Sequence, residues 1–561
     1  MKDEIKASKA VMRSTIQNFM NQQGAAARTQ AALLETIVRR NRDTAFGTEH
    51  GFRDISGIAD YRRQVPVRQW NEIAPYIDQA VQGRPDILTS EPPILYHWTT
   101  GTTGTPKMIP FTRSCEAATK QSLRIWLYSA LRDNPRLLDG RAFALINPGI
   151  EGYTDARAPY GSVSGNLYFR LPRFVRQAYS STYDAYHIED MQSRFYTLLR
   201  FALDGNCSFA VTGNPSGLRT VFEMADRMSE LLIRDIHDGT LSARFDVPAH
   251  VRAAAVNDLA PNPDRARALA NAKAASGTLR PIDYWPEMEV IGCWLGGSMG
   301  HFAPSLREWC GDRFQFRDIG YMASEGIFSI PLGNGTPDSA LALHAAVFEF
   351  IPEADFGQDA APVLLAHELE AGQNYQVVVT TTGGLYRYAI NDVVRVTEME
   401  GGSPRIRFLY KGDNVQNIQG EMMSVDHVMA AMSAAAGALG ISLRHFQVVA
   451  DQADRRYVAH VEPTLPLPAP AQRALLSGFD GELVKQNFNY GLLRADQHLE
   501  PPALRLMRAG WFARIVADQG GQGYRAAQFK PVVLAGAAQH AEMAETEIAL
   551  EAQPLGAGVR L

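Results

Sequence analysis

What most constrains the fold of this chain is a change of texture near residue 410. Residues 341 to 410 are rich in β-branched and aromatic side chains. Leu343 to Ile351 and Tyr375 to Thr381 read as long strands, parted by the turn Glu370-Ala371-Gly372. Lys411-Gly412-Asp413-Asn414 is then polar and turn-prone, and a shorter α+β pattern succeeds it. In that pattern Phe446 to Ala450 and Arg456 to Val461 look like paired strands. Pro463 to Pro470 is a Pro-rich connector, and a helix with an Asn/Tyr-rich face runs to about 496. At 561 residues the chain is too long for one hydrophobic core, so the break reads as a domain boundary. The expected division is a large domain over 1–409, a hinge at 410–413 and a small domain over 414–561.

Within the large part, residues 1 to about 90 look helical, with Leu33, Leu34, Ile37 and Val38 at helical spacing and Arg39 and Arg40 near the helix end. From about 91 onward short apolar strands alternate with helical patterns, the signature of an α/β fold. Phe143 to Ile146, ending at Asn147-Pro148-Gly149, reads as a buried strand and turn. Met224 to Ile236 reads as a helix stopped near Asp238-Gly239.

Composition narrows the partners. A net charge of −5 gives no electrostatic reason to expect nucleic acid or an anionic membrane. No stretch reaches the roughly 20 apolar residues of a membrane span, and Met1 to Met20 reads as an amphipathic helix without a signal-peptide core. Cys115, Cys207, Cys293 and Cys310 are widely spaced and form no C-x-x-C pair, which speaks against a disulfide framework or a zinc site and fits a reducing, cytoplasmic setting.

Four segments carry chemistry. Thr99-Thr100-Gly101-Thr102-Thr103-Gly104-Thr105-Pro106-Lys107 offers hydroxyls, free amides and one ammonium to phosphate oxygens. It is not a Walker A loop, because Pro106 precedes the lysine and no Ser/Thr comes after it. Asp318-Ile319-Gly320-Tyr321-Met322-Ala323-Ser324-Glu325-Gly326 places a ring that could stack on a purine beside a carboxylate that could ligate Mg2+. Thr380 to Val396 looks like two strands joined by a Gly383-Gly384 hairpin, with Asp392 beginning the second and able to accept ribose hydroxyls. Gln528-Phe529-Lys530-Pro531 sets a lone lysine before a proline-limited loop. Taken singly, each also suits a bland role: a hydroxyl-rich turn, a core tyrosine, a surface aspartate, a solvated lysine.

Their order is more specific than any one of them, and it resembles the adenylate-forming superfamily that includes acyl-CoA synthetases and firefly luciferase. The finer resemblance is to the acyl acid amido synthetases of the Gretchen Hagen family, which conjugate auxin and jasmonate to amino acids. It is carried by Phe348-Glu349-Phe350-Ile351-Pro352, Glu368 to Tyr375, Gly383-Gly384-Leu385-Tyr386-Arg387-Tyr388, Asn214-Pro215-Ser216, Trp294 to Ser298 and Asn487-Phe488-Asn489-Tyr490. It extends from about residue 30 to about 535. The resemblance implies a large adenylate-forming α/β domain and a smaller, mobile α+β C-terminal domain. It implies that Thr99, Thr100, Thr102 and Thr103 hold phosphates and that Gly297 and Ser298 lie in the adenine pocket. Tyr321 and Ser324 would sit at the nucleotide, Glu325 at Mg2+ and Asp392 at the ribose. Lys107 and Lys530 would offset phosphate charge, with Lys530 reaching the α-phosphate when the small domain closes. There are departures: the family often has Gly where this chain has Asn391, Arg near Lys411 and Lys near Met422.

The implied reaction is ATP-dependent adenylation of a carboxylic acid, then acyl transfer to an amine, with an amino acid as the expected acceptor. Two alternatives stay open: a ligase delivering the acyl group to coenzyme A or a carrier-protein thiol, and a non-catalytic acyl or nucleotide sensor. Tyr153, Tyr160, Tyr168 and Phe169 slightly favour an aryl or indolyl acid over a fatty or jasmonate-like one, although core packing accounts for them as well. The residues leave the amine and the oligomeric state open.

Overall fold

The structure is a computed structural model that describes residues 2–99, 107–300, 302–358, 361–412, 415–520 and 531–550. The chain forms two compact units. The first comprises Met1–Gly213, Thr220–Gly296 and Cys310–Phe408. The second comprises Asn214–Arg219, Gly297–Trp309 and Leu409–Leu561, so two short early segments cluster with the C-terminal part.

The first unit begins with helices Lys2–Gln23, Ala26–Asn41, Ala45–Glu49, Ile58–Gln64 and Trp70–Val81, all ahead of the first strand. Ala26–Asn41 buries Leu34, Ile37 and Val38 on one face, while Arg39 and Arg40 occupy its last turn, where cations favour the helix dipole. Gln30 fastens this helix to the sheet. Its amide donates to the Leu343 and Ala346 carbonyls at 2.8 and 2.9 Å, and its oxygen accepts from the Phe348 amide at 2.7 Å.

A four-stranded parallel sheet runs Arg141–Leu145, Cys207–Thr212, Val290–Gly292, Gln315–Arg317. Parallel strands buried on both faces read as short apolar runs, which is why Phe143 to Ile146 is legible as a strand. The helix expected over Met224 to Ile236 is two helices, Pro215–Arg227 and Ser229–Asp238, broken at Met228 and closed by Gly239 at φ +68°. Apolar residues continue across the break, so periodicity alone does not reveal it. A second four-stranded sheet is ordered Lys107–Phe111, Leu95–Thr99, Pro159–Gly161, Gly152–Tyr153.

The largest sheet has seven strands. Their order is Ser329–Ile330, Ser339–Leu341, Ser403–Lys411, Tyr388–Glu400, Asn374–Thr381, Ala346–Pro352, Leu364–Leu365. Glu349, 1% exposed, lies in strand Ala346–Pro352 and is gripped by Arg387 from the turn before strand Tyr388–Glu400. The guanidinium makes two parallel bonds, at 2.8 and 3.1 Å, and also donates to the Val65 carbonyl at 2.8 Å. Arg62 adds a third bond to Glu349 at 2.8 Å. Bidentate, charge-assisted pairing of this kind is among the stronger polar contacts, and removing one partner strands the other in low dielectric.

The pairing of Asn374–Thr381 with Tyr388–Glu400 slips once. Gln376 faces Val393 and Val378 faces Ala389, so Ile390, Asn391 and Asp392 stand opposite Val377 alone. Asn391 carries the bulge at φ +64°, in the left-handed region that glycine enters freely and asparagine tolerates better than most residues. The Gln376 amide donates to its side-chain oxygen at 3.3 Å. Asn391 therefore meets the same backbone demand as the glycine expected from the resemblance. Asp392 lies five residues into its strand, on this bulge, rather than at the strand's start.

In the second unit a five-stranded sheet runs Leu534–Ala535, Leu443–Asp451, Arg456–Pro463, Ala503–Met507, Ala544–Ala549. The two strands expected to pair do so, antiparallel. Helices Val425–Ala438 and Ala469–Gln486 pack together, and Phe488–Ala495 comes next in the chain. Asn487 caps that last helix by accepting from the Tyr490 amide at 2.9 Å, and its own amide donates to the Glu421 carbonyl at 2.8 Å. Tyr490 donates to Asp480 at 2.6 Å, and Arg494 pairs with the same carboxylate. Among the described residues no helix is long and apolar enough to cross a membrane.

The locked pair and the bulge can each be tested by substitution. E349A should lower the stability of the first unit by about 3–5 kcal/mol, read as a fall in its thermal transition, because Arg387 is left buried and unpaired. N391G should change stability by less than about 1 kcal/mol. N391V should lose about 1–3 kcal/mol. Equal behaviour of the two Asn391 variants in thermal unfolding would remove the backbone argument.

Candidate active site

The bulge brings two of the expected site residues into contact. The Tyr321 hydroxyl donates to Asp392 Oδ2 at 2.6 Å, and the two side chains are 8% and 2% exposed. Burial, reinforced by the Asp392 charge, pushes the Tyr321 phenol well up, so it stays protonated and donates. The Tyr321 ring lies against Phe408, stacked at 5.3 Å, and meets Phe328 edge-on at 5.2 Å. Part of its surface is thus already covered. Its hydroxyl fixes one Asp392 oxygen.

Asp318, at the head of the same segment, is a structural anchor that no motif singles out. It accepts from the Leu295 and Gly320 amides, each at 2.6 Å. Trp294 Nε1 donates to the Gly320 carbonyl at 3.0 Å. These bonds lace the Trp294 stretch to the turn before Tyr321. Burial pushes the Asp318 carboxyl up to about 6, against the pull of its amide donors.

Ser324 and Glu325 are the two turn residues of a tight hairpin, with Gly326 paired to Ala323 and Ile327 to Met322. The turn is pinned from the neighbouring sheet. His97 Nδ1 lies 2.9 Å from the Ser324 carbonyl, and the imidazole stacks obliquely on Phe111 at 4.6 Å. Burial pushes the His97 ring down to about 4, so it is neutral at physiological pH. No composition or motif signal marks His97 beyond its place two residues before Thr99.

Lys107 opens strand Lys107–Phe111 and stands opposite Thr99 in the antiparallel ladder. The Lys107 ammonium lies 5.0 Å from the Trp70 ring centre and 3.3 Å from the Tyr388 hydroxyl, to which it donates. These contacts hold the charge near the strand that carries Asp392. Thr99 ends strand Leu95–Thr99. Thr100, Thr102, Thr103 and Lys530 lie outside the described residues. Gly297 starts the one-turn helix Gly297–Gly300 at φ +57°, with Ser298 next in that turn, and both fall in the second unit. Lys411 ends strand Ser403–Lys411. Met422 is 56% exposed at φ +48°, next to Glu421, which accepts from the Ile418 and Gln419 amides and from the Tyr457 hydroxyl.

The site thus joins a buried phenol–carboxylate pair, a carboxylate on a tight turn and a sequestered ammonium, all in the first unit. Comparison with known proteins agrees in extent and order. The GH3 family N-terminal domain matches residues 15–314, the GH3 family central domain 339–411 and the GH3 family C-terminal domain 426–538. The jasmonoyl-L-amino acid synthetase JAR4 of Nicotiana attenuata is 25% identical over 531 residues, covering 90% of each chain. The probable indole-3-acetic acid-amido synthetase GH3.11 of Oryza sativa subsp. japonica is 25% identical over 548 residues, covering 89% of this chain and 90% of that one. Among solved structures, the GH3.15 acyl acid amido synthetase has the same fold, with a TM-score of 0.83 at 19% identity over 96% of this chain and 97% of that one. A 2-hydroxyisobutyryl-CoA ligase in its postadenylation state is more distant, with a TM-score of 0.52 at 14% identity over 85% and 84% of the two chains. Matched in order by all three of its domains, this chain belongs to the GH3 family.

Proposed function

We propose that this protein is an acyl acid amido synthetase that uses ATP to activate a carboxylic acid and delivers the acyl group to an amino acid. The observation that carries the reading is the Tyr321–Asp392 pair set beside the Ser324–Glu325 turn, in a chain matched by GH3 domains from residue 15 to 538. In the first step a substrate carboxylate oxygen bonds to the α-phosphorus of ATP, and pyrophosphate leaves. In the second the amine nitrogen attacks the acyl carbonyl, the carbon–oxygen bond to AMP breaks, and the amine proton is released. Neither step needs a covalent enzyme intermediate, so the chain requires no nucleophile of its own.

Each side chain has a task within that scheme. Asp392, held by the Tyr321 hydroxyl, is assigned to the ribose hydroxyls. Lys107, with Thr99, Thr100, Thr102 and Thr103, meets the phosphates. Ser324 lies at the nucleotide, and Gly297 and Ser298 lie at the adenine. Glu325 suits Mg2+: a single carboxylate on a tight turn matches an ion that takes one or two protein oxygens and completes its shell with phosphates and water. When bound, that ion supplies charge neutralisation on the phosphates. We assign Lys530 to the α-phosphate, with 410–413 as the hinge between a large domain over 1–409 and a small one over 414–561. Rotation at that hinge would withdraw the lysine and admit the amine.

For the acid we favour an aryl or indolyl compound. Tyr168, Phe169, Tyr179 and Tyr183 form one cluster, with ring centres 4.8 to 5.3 Å apart. Relatives carry the names of jasmonoyl- and indole-3-acetic acid-amido synthetases, and GH3.15 has been solved with 2,4-DB. Dependence on ATP and four free thiols suit the cytoplasm.

The test is ATP–pyrophosphate exchange over a panel of carboxylic acids, repeated with amino acids and with coenzyme A while products are identified. Exchange with an aryl acid, then amide formation on adding an amino acid, is the expected result. A thioester product would make the chain a coenzyme A ligase. ATP binding without exchange for any acid would make it a sensor. K530A should abolish exchange while ATP affinity stays within about threefold, the behaviour of a group acting on the transition state.

A further inference from the structure

His97 occupies an unusual position for a buried imidazole. It is 4% exposed, in the middle of strand Leu95–Thr99, where it faces Ile109 across the antiparallel ladder and Gly161 across the parallel one. Its side chain leaves this sheet and reaches a residue 227 positions further on, the carbonyl of Ser324. A carbonyl can only accept, so Nδ1 carries the proton and Nε2 the lone pair. Nε2 has no hydrogen-bond partner among the described residues. The contact through Nδ1 is the one that ties this strand to a distant segment.

What Nδ1 holds is the first of two residues in a tight turn, and the second is Glu325. A two-residue hairpin has few backbone torsions to adjust. Fixing the Ser324 carbonyl therefore fixes the peptide plane that leads into Glu325. The flanking strands, Met322–Ala323 and Gly326–Ile327, are two residues each and, among the described residues, form a sheet with one another alone, extended by the Phe328 amide donating to the Tyr321 carbonyl at 2.8 Å, so a further tie at the turn adds to its rigidity. The strand that carries His97 also leads into the Thr/Gly segment two residues later. One side chain thus links the strand that leads into the Thr/Gly segment to the turn bearing Glu325.

We propose that His97 is a positioning residue that sets the direction of Glu325 by hydrogen-bonding the Ser324 carbonyl, and so tunes how well the protein takes up Mg2+ with ATP. This rests on the assignment of Glu325 to Mg2+. The hydrogen bond, not the ring's bulk, does the positioning.

Two substitutions separate those contributions. H97F keeps an aromatic ring against Phe111 and loses the donor. H97N keeps an N–H near the position of Nδ1 and loses the ring. ATP binding to the full-length protein is measured by calorimetry with and without Mg2+, and the Mg2+-dependent gain in affinity is the readout, with folding checked by thermal unfolding. H97F should reduce that gain roughly five- to tenfold, the size expected for one hydrogen bond. H97N should keep it within about twofold, and both should bind metal-free ATP as the parent does. If H97F fails to fold, H97M serves as the donor-less variant. An unchanged gain in the donor-less variant, or a larger loss in H97N than in H97F, would overturn the proposal. E325Q in the same assay separates the two assignments. If E325Q loses the gain while H97F keeps it, only the role of His97 falls. If E325Q keeps it, the Glu325 assignment falls and takes this one with it.

Discussion

The buried pair of Glu349 and Arg387 is the interaction on which the rest of the first unit depends. The carboxylate comes from the middle of a strand in the seven-stranded sheet, and the guanidinium from the turn that joins two others. Arg387 is itself at φ +45°, a conformation that is unfavourable for a side chain of its size. The two bonds to Glu349, the Val65 carbonyl and the bond from its own amide to Thr380 Oγ1 at 3.0 Å determine that conformation from four sides. A turn held this way cannot relax without exposing an ion pair to an apolar interior, which makes the penalty for rearrangement steep.

Rigidity at Arg387 carries directly into the strand it introduces. Tyr388, the next residue, receives the Lys107 ammonium at its hydroxyl, and Asp392 lies four residues further along. Between them the strand bulges at Asn391. Two left-handed residues, Arg387 and Asn391, therefore bracket a short piece of strand and place Asp392 under Tyr321. Bulges near active sites commonly re-aim a side chain, and here the re-aimed side chain is the carboxylate that completes the phenol pair. The sheet supplies stiffness and the two strained residues supply direction.

Much of this is visible in the sequence, for reasons that differ by segment. The helical N-terminal region, the strand near Phe143 and the paired strands of the second unit are regular, so hydrophobic period alone identifies them. Tyr321, Glu325, Lys107 and Asp392 stand out by residue type and order, and of these Tyr321 and Asp392 are brought into contact. Asn391 is conspicuous only as a departure, and its meaning needs a backbone torsion that no composition encodes. The break at Met228 is hidden because the apolar stripe runs through it. His97 and Asp318 leave no signal at all. Each acts on main-chain groups of a segment distant from its own strand or turn, and the identity of such a partner is a property of the fold. Arg387 and Glu349 are visible as resemblance but not as a pair, for the same reason.

The segments that mark the family are mostly scaffold rather than substrate contacts. Glu349 and Arg387 lock a turn. Asn487 caps a helix and holds the Glu421 carbonyl, and Tyr490 and Arg494 close on Asp480. The ring cluster around Tyr168 and Tyr183, which we propose meets the acid, is held differently, by ring contacts and by the Tyr183 hydroxyl accepting from the Gly149 amide at 2.6 Å. Tyr179 also packs against the core around Ala142 and Phe209, while Phe169 remains 42% exposed. Strained, paired residues fix the fold here, and the rings proposed to meet the acid lie outside those pairs.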